Sequence, residues 1–398
     1  MPNAEEAEFP LVHKRGNDGT LTVSDHQTVF IPLLLVTPTL VMNINLTQRW
    51  RITSPLVCVL SLALCLYAGC IAKRQQAAEK TATIYCATDR EFAVPILDAF
   101  ERANGDCEVT RVFDVESSKT LGLVTRIEQE RTQPKCDLFW NNEILHTIRL
   151  QKAGLLEPRR WQIPDGWPTA FIASDQTWVG FAARARVLLI NTQKLPDPSD
   201  RPTRVQELAD EKWKGKCGFA NPIYGTTATH FAVLASHPNS LQGIDWKRWE
   251  TNMRGSAVML AGNKQVALAV ASGELEWGLT DTDDAIIEKE KGMPVEIVFP
   301  DQITGPTGDE PFGTLFIPNT VAVVRGGPHP VLASKLADYL ISEKTESRLT
   351  MSSSAHFPIW PGAAMPSRIE IAKVRKASVD FERAAKQWEA WNQTPEAK

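Results

Sequence analysis

Tyrosine is scarce in this chain of 398 residues, with four against twelve tryptophans and fifteen phenylalanines. Only Tyr85, Tyr224 and Tyr339 follow the amino-terminal apolar segment, and no two are adjacent, which limits phenolate chemistry at any metal. A basic excess is missing too. Lys and Arg number 43 against 47 Asp and Glu, a formal charge of −4, so the whole chain lacks the electrostatic footprint of a nucleic-acid binder. The seven cysteines, at 58, 65, 70, 86, 107, 136 and 217, form no C-x-x-C pair and no zinc-type spacing with His. Nucleophile-elbow, zincin, phosphate-loop and dinucleotide fingerprints are all absent. The seven histidines are scattered, and His230, in an Ala-rich helical stretch, reads as packed or capping. Capture without catalysis and without a cofactor is the expectation.

What is present begins with an address. Arg49 and Arg51 precede an apolar run that ends at Ala68-Gly69-Cys70, the order of a secretory signal. Cys70 after Ala-Gly resembles the lipidation site of bacterial lipoproteins, with Tyr67 where that motif usually has Leu. An uncleaved membrane anchor is the competing reading, because the uncharged run approaches the length of a membrane span. We therefore expect residues 1–41 to be a gene-model extension with translation from Met42, 42–69 a signal peptide, and 70–80 a polar tether. A lipid-anchored, monomeric protein of the periplasm or cell envelope follows.

After the tether, short apolar runs alternate with helical stripes, the order of parallel sheets with crossover helices. Strands are expected over 81–86, 109–113 and 138–140, with helices between them stopped at Asn104-Gly105, Pro134 and Gly154. The long run 178–190 can carry the chain out of this first lobe. A strand at 217–220, helices from Thr226-Thr227 and over 265–271, a strand at 275–280 and a helix from Asp281 build a second. The run 312–324 can carry the chain back. Two crossings between two α/β lobes make a hinge. Lobe 1 is expected over 81–183 with a return segment at about 311–360, and lobe 2 over 184–310 with the carboxy-terminal helices at about 361–398. Cys86, Cys107 and Cys136 fall at strands, where thiols behave as small core residues, while export would permit a disulfide among them or with Cys217.

The segments 85–93 (YCATDREFA), 139–143 (FWNNE), 220–230 (ANPIYGTTATH) and 317–322 (IPNTVA) are similar to the periplasmic solute-binding proteins of ferric-iron-type ABC importers. The resemblance runs in order from about residue 81 to about 350. It implies a two-lobed type II periplasmic binding protein fold, an α/β fold that closes on its solute, with a permease and an ATPase as partners. It also implies iron(III) as solute. The family's adjacent Tyr ligands are lacking, however, so iron cannot be carried over residue by residue.

Loops after strands are the candidate site, because ligands of open α/β sheets bind beyond the carboxyl ends of strands. Thr88, Asp89, Glu116, Ser117, Ser118, Lys119, Trp140, Asn141 and Asn142 are the candidates of the first lobe, and Tyr224, Thr226 and Thr227 those of the second. Glu143, Asp281, Asp283 and Asp284 could converge on a hard cation, which prefers oxygen ligands. The aspartates equally suit the start of a helix, where acids cap and complement the dipole. Ser117, Ser118, Lys119, Thr226 and Thr227 could instead cradle an anion at helix amino ends, and Trp140 could stack on an organic solute. A metal cation, iron first, therefore stands beside a small organic or phosphorylated solute such as a phosphonate, sugar phosphate or amine.

Overall fold

The computed structural model describes residues 80–114, 121–223, 225–237, 240–241, 243–304, 308, 310–365, 369, 371 and 373–392. The expected extension, signal segment, Cys70 and the tether to residue 79 lie outside these, as do Glu116, Ser117, Ser118, Lys119 and Tyr224. Among the described residues no helix is long and apolar enough to cross a membrane.

Alternation of apolar and polar residues makes β1 (Thr81–Cys86), whose far half is buried. In α1 (Arg90–Ala103), Phe92, Ile96, Leu97 and Phe100 recur at helical spacing and face the core. Asn104 ends the helix by donating its side-chain amide to the Phe100 carbonyl at 2.7 Å. β2 (Glu108–Phe113), α2 (Leu121–Gln129), β3 (Leu138–Asn141) and α3 (Leu145–Lys152) complete three strand-to-helix units. β1 lies parallel to both β2 and β3.

The chain then enters β4 (Trp178–Asn191), fourteen residues that are all buried. Beyond it come β5 (Cys217–Ala220), α4 (Gly225–Ser236), α5 (Trp246–Ser256), β6 (Val258–Leu260), α6 (Asn263–Ser272), β7 (Trp277–Asp281), α7 (Thr282–Glu290) and β8 (Val295–Val298). β9 (Phe316–Val323), α8 (Pro330–Leu340), α9 (Glu343–Met351) and α10 (Phe381–Asn392) follow. The strand order is β2-β1-β3-β9-β4-β7-β5-β6, with β8 also paired to β4. β4 therefore belongs to two sheets. Its residues Trp178 to Ala185 pair with β9, and Arg186 to Ile190 pair with β7. β9 stays wholly beside β3 and β4, so the return crossing is made by the chain ahead of it.

A bulge marks the middle of β4. Its register against β9 slips between Phe181 and Ala183, and Ala182 sits at φ 43°, a left-handed conformation uncommon for a residue with a Cβ. The displaced Ala182 N–H is not wasted, because it donates to the buried carboxylate of Glu346 on α9 at 2.7 Å. Glu346 also accepts from the N–H groups of Ile359 and Trp360 at 2.9 and 2.6 Å.

One core underlies the first sheet, and two more flank the second. Residues 361–398 were expected with the second lobe. Instead, Phe381, Ala384, Ala385 and Trp388 of α10 join the first core, and Trp391 packs on the second, so this helix straddles both. Cys86, Cys107, Cys136 and Cys217 are free, with Cys86, Cys136 and Cys217 buried.

Candidate functional site

Loops from both lobes face a cleft of about 1100 Å³. The first lobe contributes Asp89, Arg90 and Glu91 after β1 and Asn142 after β3. The second contributes Thr226 and Thr227 at the start of α4, Asn263 to Gln265 at the start of α6, and Asp281, Asp283 and Asp284 where β7 turns into α7. All follow the carboxyl ends of strands, as open α/β sheets dictate.

The three aspartates form a compact group, with one oxygen from each lying within 4.8 Å of the others. They are not alone. β4 aims Arg184 and Arg186 at them, two residues apart and so on one face of the strand. Asp281 stands directly opposite Arg186 in the β4–β7 ladder.

The two arginines are held very differently. Arg186, fully buried, donates to Asp281 Oδ1 at 2.7 Å, to Asn263 Oδ1 at 3.0 Å, to Thr226 and Thr227 hydroxyls at 3.2 Å each, and to His230 Nδ1 at 3.4 Å. Its charge is fully compensated by hydrogen bonds, the condition for keeping an ion pair out of water. Arg184 divides its guanidinium between the lobes: Nη1 reaches Asp283 Oδ2 at 3.2 Å and Asp281 Oδ2 at 3.6 Å, while Nη2 donates to the Asn142 carbonyl. Its Nε has no acceptor, and Asp283 Oδ1 has no donor, although both are buried.

This network sets the charge of each acid. Burial pushes Asp281 up, but Arg186 and Arg184 outweigh it and hold the carboxyl below its ordinary value. At Asp283 burial wins over Arg184, and the group is raised. Asp284 is raised well above the carboxylate range by burial and by the neighbouring charges of Asp283 and Asp281. His230 is held neutral by burial and by Arg186, so its Nδ1 can serve as acceptor. Asp281 is already spent on Arg186, whereas a positive charge arriving beside Asp283 and Asp284 would draw out their ionised forms.

Of the residues expected from sequence, Asp89, Asn142, Thr226, Thr227, Asp281, Asp283 and Asp284 line the cleft. Thr88, Trp140, Asn141 and Glu143 do not. Thr88 and Trp140 both donate to Asn319 Oδ1, at 3.0 and 3.4 Å, and Trp140 packs on Phe181 with no exposed surface. Asn141 donates to Glu143 and Thr147. Glu143 caps α3, accepting from the N–H groups of Leu145 and His146 at 2.6 and 3.1 Å, and also from Thr229. A carboxylate with that many donors beneath a helix is structural, and burial raises it to about 7. Arg184, Arg186 and Asn263 were missed. Arg184 and Arg186 had a signal, two like charges at alternate positions of an otherwise apolar strand, which puts both on one buried face. Tyrosine is absent from the described lining: Tyr85 is bonded to Glu130 in the first lobe and Tyr339 accepts from Arg348.

These features can be set beside known proteins. The profile of the family described as "Bacterial extracellular solute-binding protein" matches residues 96–374. The major ferric iron-binding protein of Neisseria meningitidis is 26% identical over 304 residues, covering 75% of this chain and 86% of the relative. Iron uptake protein A1 of Synechocystis is 25% identical over 281 residues, covering 66% and 74%. Among solved structures, iron-bound HitA of Pseudomonas aeruginosa superposes with a TM-score of 0.67 at 23% identity, over 78% of this chain and 97% of that one. The periplasmic binding protein AfuA of Actinobacillus pleuropneumoniae, with fructose-6-phosphate bound, gives 0.66 at 19% identity, over 80% and 100%. The fold is thus the two-lobed α/β fold of periplasmic binding proteins. With the profile spanning most of the described residues, the chain belongs to the family of bacterial extracellular solute-binding proteins.

Proposed function

We propose that this protein is the solute-binding subunit of a bacterial ABC importer, held outside the cytoplasm by a lipid on Cys70. It captures a small solute between its lobes and delivers it to the permease without catalysis. The solute is a metal cation, iron(III) first. The observation that carries this reading is the group of Asp281, Asp283 and Asp284 on the cleft wall, in which a buried Asp283 oxygen lacks any donor. Hard cations take oxygen ligands, and the ferric-binding relatives supply the preference for iron. A ferric ion held by these three carboxylates alone would show no phenolate-to-iron band, so a coloured complex would count against this ligand set.

A second reading rests on the hydrogen-bonding groups beside these aspartates. Thr226 and Thr227 in the first turn of α4, Asn263 at the start of α6, and Arg184 suit a phosphate, and one structural neighbour holds fructose-6-phosphate. Titration separates the two. Iron(III) nitrilotriacetate should bind wild type and fail to bind Asp283→Asn with Asp284→Asn. No uptake of iron by wild type, together with a melting temperature raised by fructose 6-phosphate, would replace the first reading with the second.

A further inference from the structure

The pairing of Arg184 is incomplete in a way that the pairing of Arg186 is not. Arg186 sits among five acceptors on three elements, and nothing in its surroundings invites it to move. Arg184 leaves its Nε without an acceptor while, across the same ion pair, Asp283 Oδ1 is without a donor. A guanidinium and a carboxylate that met in the usual two-bond fork would satisfy both atoms at once. Here one nitrogen is drawn towards the first lobe by the Asn142 carbonyl and the other towards the second by Asp283, so the fork cannot form. Each orphaned buried atom is a standing cost, which makes this ion pair the cheaper one to break.

We propose that Arg184 is a built-in stand-in for the cationic solute: its guanidinium occupies the carboxylates that the cation would use, and capture requires its displacement towards the first lobe. This rests on the cation reading above. With two guanidiniums set against the three aspartates, little negative charge is left to hold a multivalent ion out of water. Moving Arg184 away removes one of those positive charges and releases Asp283 from its ion pair. A destination exists: Asp89 and Glu91 line the facing wall, and the charge of Asp89 already acts on Arg184 together with those of Asp283 and Asp281. The displacement also severs the link from Asn142 to Asp283 across the cleft, so solute capture and lobe movement become one event. Arg184 thereby sets specificity. A weakly charged cation cannot outcompete a resident guanidinium, and a multivalent one can.

The consequence runs against the usual result of removing a residue from a binding site. In titration calorimetry with iron(III) and gallium(III) nitrilotriacetate, Arg184→Gln should bind the metal about tenfold or more tightly than wild type, the scale of removing one like charge a few ångströms away near a protein surface. Arg184→Lys, which keeps the charge, should stay within about threefold of wild type. If wild type binds metal and Arg184→Gln binds it equally or more weakly, the stand-in is wrong while the cation reading survives. If neither takes up metal, the cation reading itself has failed. Should Arg184→Gln not fold, the crystal structure of gallium-loaded wild type decides: Arg184 still paired with Asp283 would overturn the proposal.

Discussion

Arg186 braces the aspartate wall of the cleft from behind its lining. Its charge is buried in the second lobe and balanced by Asp281, which lies opposite it in the sheet and is itself fixed by Thr226 and Asn263 at 2.6 and 2.9 Å. Truncating one partner of such a pair leaves the other charged and out of water, which costs about 3–5 kcal/mol. We therefore expect Arg186→Met to lose about that much in urea unfolding. Adding Asp281→Asn to it should recover part of the loss rather than add to it, because the stranded carboxylate is gone. A loss below 1 kcal/mol would mean that water reaches the pair. At this scale the sequence was half legible. Acids at the start of α7 were readable from Asp281-Thr-Asp-Asp284, since that spacing suits both a helix start and a cation. What could not be read was that Asp281 is already neutralised, because its partner lies 95 positions earlier on another strand. Glu143 misled for a related reason: an acid after a strand looks the same whether it faces a cleft or turns under the next helix.

Among the elements, β4 carries the most structure and was the most visible, since a long apolar run is hard to place as anything but a buried strand. β6 and β8 were not visible. β6 is a three-residue edge strand with Val258 and Met259 exposed, so it shows neither alternation nor a continuous buried run. The bulge at Ala182 was also beyond reach, because its cause is the acceptor offered by Glu346, which is 164 positions away. That acceptor makes the bulge sensitive to pH. Burial raises Glu346 to about 7 from an ordinary 4.5, against the pull of three backbone N–H donors. A carboxyl whose folded value exceeds its unfolded one contributes stability that is full below about pH 4.5 and is lost as pH rises through about 7. Gln at 346 cannot titrate, so the melting temperature of wild type minus that of Glu346→Gln should be larger at pH 5 than at pH 8. A difference that does not change between those pH values would show that Glu346 titrates normally. The buried His146 and His356, both depressed to about 3, act in the opposite direction, and the subtraction cancels them.

Across the molecule, the cleft joins residues of both lobes, and β4 is the shared strand about which they are arranged. A solute that binds the closed arrangement more tightly than the open one shifts the population towards it by that difference. Solution scattering should therefore give a smaller radius of gyration with whichever of iron(III) nitrilotriacetate or fructose 6-phosphate binds. A ligand that raises the melting temperature but leaves the radius unchanged would count against closure. The two-lobed plan was legible because two long apolar runs bracket an α/β pattern; the placement of α10 was not, since an amphipathic helix does not say which of two cores it will cover.

The sharing of β4 also has a consequence for how the chain comes to be folded. The second sheet draws its strands from a single stretch, residues 186–298, so it is complete once that stretch is available. The first sheet has to wait, because β9 at 316–323 is the only link between β3 and β4 among the described residues. Contacts that close over longer stretches of chain form more slowly. The inserted lobe is thus the early partner during synthesis, and the lobe that encloses it the late one. A chain halted before residue 316 would carry a finished second sheet and a first sheet split in two, with apolar strand edges left unpaired.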